Sequence, residues 1–185
     1  MILVDMNQIS LASVMMHLHM TKNTEPDENM VRHMILNSMR MYRTRFSSEY
    51  GELVLCYDSK HYWRRDFYPQ YKASRRTKRE SDGRNWDAIF ECLNNIKSEI
   101  KDNLPYKFLE VYGAEADDII ASLVTEVAEE VLILSGDKDF IQLCDDETVL
   151  FRPIQKEVLT TKNVLEKYGI HPRNFAIARV IAGDK

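Results

Sequence analysis

The chain has 185 residues, of which 44% are hydrophobic and 29% charged, with a formal net charge of −4. That length supports one domain with a real core, and no apolar run approaches the ~20 residues needed to span a membrane. Cys56, Cys92 and Cys144 are odd in number and far apart, which argues against a disulfide framework or a zinc site and for buried thiols in a reducing compartment.

The opening stretch "MILVDMNQIS" has no basic region before its apolar residues, so it reads as a strand near 2–6 and not as a secretory signal. A polar stretch with Pro26 follows. Val31, Ile35, Met39, Tyr42 and Phe46 then recur at helical spacing. "ELVLCYD" (52–58) is a second buried strand. After a basic segment without a clean period, roughly 59–84, an amphipathic helix is marked by Trp86, Ile89, Phe90, Leu93, Ile96 and Ile100. "KFLEVYG" (107–113) reads as a third strand, 115–129 as a helix, and "VLILSG" (131–136) as a fourth strand. "KDFIQLC" is a short helical stretch. "TVLFRPI" (148–154) reads as an edge strand, since Pro153 cannot donate to a ladder. Two short helices close the chain near 161–168 and 172–182. Alternating strands and helices predict an α/β fold with a mainly parallel sheet, and strands that are apolar throughout predict helices on both faces.

The charge is unevenly spread. Residues 60–84 carry nine basic side chains against three acidic ones, a local charge of +6 on a body of −10. Such an asymmetry suggests a polyanion contact in one place and gathered carboxylates in another.

The carboxylates fall at strand ends: Asp5 after the first strand, Asp58 after the second, Glu115, Asp117 and Asp118 after the third, Asp137 and Asp139 after the fourth. In open α/β sheets that edge is where ligands bind. Each acid has a plainer reading as well. Asp118 and Asp137 suit helix starts, where free N–H groups and the dipole favour negative charge. Asp5 and Asp58 are harder to explain that way, because an acid at the tip of an apolar strand is costly without a partner. Lys and Arg are scarce in these segments, Lys138 excepted. A divalent metal is the natural counter-charge, and hard oxygen donors suit Mg²⁺ or Mn²⁺. Two such ions about 3.5–4 Å apart can assist an in-line phosphoryl displacement.

The segment "HYWRRDFYPQYKASRRTKRE" (61–80) interleaves aromatic rings with Lys and Arg. A solvated loop is the plain reading. Its emergence from Asp58, over the proposed crevice, favours stacking on unpaired bases with contacts to phosphates. Lys72 and Arg75, three apart, would share one helix face.

Together "LVDMNQ", "LCYDSKHYWRRDF", "EADD", "SGDKDFIQL" and "IAGDK" resemble the 5′ nuclease family over the whole chain. That family includes flap endonucleases, the 5′-nuclease domain of bacterial DNA polymerase I, bacteriophage 5′ exonucleases, and above all the ribonuclease H enzymes of T-even-type phages. EADD followed about twenty residues later by S-x-D-x-D, with a basic segment upstream, is the specific part of the likeness. The resemblance implies a PIN-like 5′-nuclease core over 1–185 with a basic helical arch at about 59–84. It implies two Mg²⁺ ions, with Mn²⁺ able to substitute, held by Asp5, Asp58, Glu115, Asp117, Asp118, Asp137, Asp139 and Asp184. Asp117, Asp137, Asp139, Lys72 and Arg65 are the implied catalytic set. Arg64, Arg65, Tyr71, Lys72, Arg75, Arg76 and Arg79 are the implied nucleic-acid contacts.

The implied activity is Mg-dependent 5′-3′ exonuclease and flap cleavage near junctions of 5′ single strand and duplex, removing RNA primers and flaps in DNA replication. Expected partners are DNA, RNA–DNA hybrids and replication proteins such as a single-strand-binding protein or clamp, with no membrane. The expected protein is a cytoplasmic monomer, in the host cytoplasm if phage-encoded. The family continues past its G-D with a helix–hairpin–helix element, whereas this sequence stops at Lys185, which puts duplex grip in question. Two rival readings are a PIN-domain endoribonuclease, which does not normally need the basic insertion, and a non-catalytic nucleic-acid-binding module, which would be expected to have lost acids.

Overall fold

The computed structural model of the chain describes residues 1–183. Strands β1 (Ile2–Asp5), β2 (Leu53–Tyr57), β3 (Lys107–Glu110), β4 (Val131–Leu134), β5 (Thr148–Arg152) and β6 (Glu157–Leu159) form one sheet. Its order is β3-β2-β1-β4-β5-β6. The first five strands pair in parallel, and β6 runs antiparallel to β5. Helices α1 (Met6–Thr21), α2 (Glu28–Tyr50), α3 (Trp63–Phe67), α4 (Ala73–Ser81), α5 (Trp86–Asn103), α6 (Ala116–Glu126), α7 (Thr161–Tyr168) and α8 (Phe175–Ala182) connect or follow the strands. Short 3-10 segments lie at Lys138–Leu143 and Pro172–Asn174.

Successive strand residues point to opposite faces, so continuous apolar strands feed two cores. Ile2, Val4, Leu53, Leu55, Leu132, Leu134 and Phe151 pack with α1, α2 and α5. Leu3, Val54, Cys56, Val131, Ile133 and Leu150 pack with α6, the 138–143 turn, α7 and α8. The mainly parallel α/β sheet with helices on both faces is thus the one the sequence predicts. All three cysteines are free and buried. Among the described residues no helix is long and apolar enough to cross a membrane.

Three elements differ from the sequence reading. Helix α1 occupies most of what reads as a polar stretch. Its buried side includes Ser10, Ser13 and His17 beside Ile9 and Val14, while Met16 and Met20 face solvent. Polar residues inside and apolar ones outside erase the period. Strand β5 is not the edge. It ends at Arg152, so Pro153 falls in the turn to β6 and removes no ladder bond. The edge on the other side is β3, shorter than expected, with Lys107 and Glu110 exposed.

From β1 the chain moves outward to β2 and β3, then returns to β4 on the other side of β1. The order reverses between β1 and β4, and the crevice beyond the carboxyl ends of such strands is the ligand position of this architecture.

Candidate active site

Asp5 is the last residue of β1 and caps α1, its Oδ1 accepting from Gln8 N at 3.1 Å. Its Oδ2 accepts from Ser135 Oγ at 2.8 Å, just past the end of β4. Ser135 Oγ in turn accepts the Asp137 N–H at 3.1 Å. A fully buried hydroxyl therefore links the acids at the two strand ends that flank the reversal. The tight passage at Gly136 belongs to the same arrangement, since a Cβ there would meet Gln8 Nε2 at 2.6 Å. Ser135 stands inside the S-x-D-x-D pattern, yet its bridging role is invisible until β1 and β4 are known to be neighbours.

Asp58 follows β2 directly, and its Oδ1 accepts from Ala116 N at 2.7 Å at the start of α6. Asp117 lies in the first turn of α6. Its carboxyl is pushed up to about 7, first by burial and then by the charges of Asp5, Asp137 and Asp58. Asp5 is pushed up to about 6, again by burial first, with Asp58 and Asp137 adding to it against the hydrogen bonds from Gln8 and Ser135. These four acids thus feel one another at close quarters. Among the described residues no Lys or Arg forms an ion pair with Asp5, Asp58, Asp117 or Asp137. Asp137 also has the plainer cap role, accepting from Asp139 N at 2.9 Å.

Glu115 and Asp118 are different: cations, scarce in the acids' own segments, reach these two from the basic segment. Glu115 is 1% exposed and accepts from Lys72 Nζ at 2.5 Å, Tyr71 Oη at 2.8 Å and Arg64 Nη1 at 3.0 Å. Asp118 takes a two-pronged contact from Arg64 at 2.7 and 2.8 Å, and accepts Trp63 Nε1 at 3.2 Å. Asp118 Oδ2 also accepts its own helix-start N–H, that of Glu115, at 3.0 Å. Burial raises the Asp118 carboxyl, but the bonds from Arg64 and Glu115 N outweigh it and leave it below the usual range. The basic segment is folded down onto the acid cluster.

That segment forms α3 and α4, neither of which buries a residue. Lys72 does not share a helix face with Arg75. It sits before α4 with φ 57°, a left-handed turn that directs it toward Glu115. Arg65 lies over the Tyr62 ring at 4.8 Å. Arg75 and Arg76 are exposed, Arg76 pairing with Glu80 at 3.0 Å. Arg79 lies 4.9 Å from the Trp86 and Phe90 rings and fastens α4 to α5. Asp139 is exposed and ion-paired with Arg179 of α8. Asp184 lies outside the described residues. Tyr62, counted in the sequence only as one ring among several, proves to stand at the site: burial, Asp58 and Glu115 all raise its hydroxyl pKa.

The donor set suits a hard divalent cation in chemistry and charge. Among the described residues no group of three carboxylate, imidazole or thiol side chains is arranged to hold a metal ion as it stands.

Residues 1–169 match the family model described as 5′-3′ exonuclease, N-terminal resolvase-like domain. The ribonuclease H of Enterobacteria phage T4 is 36% identical over 152 residues, 76% of this chain and 48% of that protein. A 5′-3′ exonuclease of Buchnera aphidicola subsp. Schizaphis graminum is 32% identical over 137 residues, 72% of this chain and 45% of that protein. The chain spans about half the length of these relatives. In fold it is similar to a variant of the bacteriophage T5 flap endonuclease, solved as a pseudo-enzyme–product complex with DNA and metal ions. The TM-score is 0.75 at 18% identity, covering 99% of this chain and 66% of that one. The T5 5′-exonuclease with bound divalent zinc ions gives 0.70 at 18% identity, covering 95% and 63%. With the family model spanning nearly all of the sheet and its helices, the chain belongs to the 5′-3′ exonuclease family through its N-terminal resolvase-like domain.

Proposed function

We propose that the chain is a Mg²⁺-dependent 5′-3′ exonuclease and flap endonuclease, hydrolysing phosphodiesters near junctions of 5′ single strand and duplex. The observation that carries this reading is a cluster in which Asp5 and Asp117 are raised by burial and by the neighbouring acids, with none of Asp5, Asp58, Asp117 and Asp137 ion-paired among the described residues, beside a basic segment already reaching into the site. In this reading residues 1–185 are the nuclease core and 59–84 its arch. Asp5, Asp58, Asp117 and Asp137 are the first candidates for metal ligands, with Glu115, Asp118, Asp139 and Asp184 around them. Bound Mg²⁺ supplies counter-charge and Lewis acidity at the phosphodiester.

The chain's own residues do the rest. Ser135 holds Asp5 and the Asp137 backbone in fixed relation. Ala116 N orients Asp58. Arg64 and Lys72 exchange Glu115 and Asp118 for a phosphate, a like-for-like change of anionic partner. Arg65, Arg75 and Arg76 extend the cationic surface along the strand with Tyr71 as an aromatic neighbour, while Arg79 anchors α4. Without a bound ion Asp117 holds its proton up to about 7, and a bound cation would take the place of that proton.

The substrates proposed are DNA and RNA–DNA hybrids with 5′ single strands, as RNA primers and flaps present in replication. Work beside a single-strand-binding protein or clamp, as a monomer in the cytoplasm, completes the proposal. The test is cleavage of a labelled 5′-flap duplex against single-stranded RNA, with and without Mg²⁺. Flap cleavage that needs Mg²⁺ and is lost in Asp117→Asn supports the proposal. Cleavage of the RNA alone would favour an endoribonuclease, and binding without any cleavage a non-catalytic module.

A further inference from the structure

Beyond β2 and β3 the two chain segments continue side by side. Ser59 N donates to Ala114 O at 2.9 Å, Trp63 N to Gly113 O at 2.9 Å, and Tyr62 bridges to Gly113 in parallel. The 111–114 segment is a hydrogen-bonded turn, with Ala114 N donating to Val111 O at 3.0 Å. Gly113 at φ 83° takes the position that disfavours other residues. This fastened turn carries Tyr112 at its tip, 84% exposed.

Tyr112 is not loose in solvent. Its ring stacks on His61 with centroids 5.3 Å apart and planes 16° from parallel. His61 is held at its edge by Asp66, with Nε2 3.1 Å from Oδ2. Two rings are thus ordered by a turn, a ladder extension and a carboxylate, and the Tyr112 ring stays open to water. A large aromatic surface held rigid and left uncovered has already lost the freedom that binding would otherwise cost. Lys60, Arg64 and Arg65 lie on the adjoining segment, and Arg65 covers Tyr62, the residue bridged to Gly113. Phe67 on α3 is also exposed. Glu115, at the acid cluster, is three residues along from Tyr112.

We propose that Tyr112, backed by His61, is a stacking platform for one unpaired nucleobase of a 5′ single strand, placed at the foot of the basic segment. The proposal rests on the nuclease reading above and adds to it a subsite outside the acid cluster and outside the basic residues. Flat aromatic faces take any base, so the platform fixes the position of the strand and not its sequence.

The experiment uses the Asp117→Asn chain, to prevent cleavage, and 5′-flap DNAs carrying 2-aminopurine at successive positions of the single strand. The expected result is quenching at one position. In Tyr112→Ala that quenching disappears and affinity falls about tenfold, the scale of one stacked base. Tyr112→Phe and Tyr112→Trp keep both. An abasic nucleotide at the quenched position should weaken binding to the unsubstituted Tyr112 chain by the same factor, a measurement that needs no change in the platform itself. Unchanged quenching and affinity in Tyr112→Ala would overturn the platform while leaving the nuclease reading intact, as would tight binding with no position-dependent quenching. Failure of the Tyr112 chain to bind any flap DNA would overturn the reading underneath.

Discussion

Lys72 Nζ stands 2.5 Å from Glu115 Oε1, so a cation of the basic segment is docked on an almost fully buried acid at the start of α6. The sequence suggests a division of labour in which acids hold metal and cations hold phosphate. The geometry joins the two sets. Lys72 also lowers the pKa of Asp117 through its charge.

Removing this cation should therefore affect both partners. Lys72→Ala frees one oxygen of Glu115 and makes the acid cluster more negative. Divalent-ion affinity, measured by calorimetry with Mn²⁺, should rise several-fold, while flap cleavage falls because phosphate loses a partner. Arg64 and Tyr71 still bind Glu115, so the fold should lose only about 1–2 kcal/mol, less than for a buried ion left wholly unpaired. Weaker metal binding in Lys72→Ala would contradict this account.

The raised acids give a pH dependence with a definite sign. Asp5 and Asp117 hold protons in the folded chain up to about 6 and about 7, against 3.8 for an ordinary Asp. The folded state binds more protons across that window, so stability falls as pH rises from about 4 to about 7. Asp117→Asn mimics the neutral carboxyl at every pH. Without divalent ions it should be more stable than the parent at pH 7.5 and nearly equal to it near pH 4. Urea unfolding at the two pH values with EDTA present measures the difference. A gain that is the same at both would show that Asp117 is not held among like charges.

Much of this was legible in the sequence, for identifiable reasons. Continuous apolar runs such as "LVLCY" and "VLIL", short and carrying β-branched residues, read as strands covered on both faces, and in parallel strands the acids at their ends land on one edge whatever the strand order. What stayed hidden depends on contacts between distant segments. α1 buries Ser10, Ser13 and His17 and shows Met16 and Met20 to water, so no period marks it. β6 is three residues long, too short to announce itself and so to displace β5 from the edge. The pairing of Arg64 and Lys72 with Glu115 joins residues more than forty positions apart, beyond the reach of any local pattern.

Ser135 offers a sharper test of how the acids are held. Its hydroxyl donates to Asp5 and accepts from the Asp137 N–H, and it is fully buried. Ser135→Ala leaves a buried acceptor and a partly buried donor without this partner, which costs about 1–3 kcal/mol. It also frees Asp5 from a bond that lowers its pKa. The variant should melt at a lower temperature in EDTA and need more Mg²⁺ for half-maximal cleavage. Ser135→Thr, which keeps the hydroxyl, should recover the Mg²⁺ requirement even where its extra methyl costs stability. Equal Mg²⁺ dependence in all three proteins would remove Ser135 from the site.

The chain's two tryptophans make the basic segment directly observable. Trp63 opens α3, donates to Asp118 at 3.2 Å, and has Arg64 4.7 Å from its ring. Trp86 opens α5, donates to Asp82 at 2.9 Å, and is covered by Arg79. One ring therefore reports the contact between segment and acid cluster, and the other reports the attachment of α4 to α5. A divalent ion that draws on Asp118 must compete with Arg64 and Trp63 for the same two oxygens. Mg²⁺ titration should accordingly change the emission of Trp63, seen in Trp86→Phe, and leave that of Trp86, seen in Trp63→Phe, nearly constant. A 5′ single strand should move both, because phosphate draws Arg64 away from Asp118 and contacts along α4 reach Arg79. If Mg²⁺ changes neither signal at concentrations that support cleavage, Asp118 keeps Arg64 in the working enzyme and is a structural anchor for the segment, not a metal ligand.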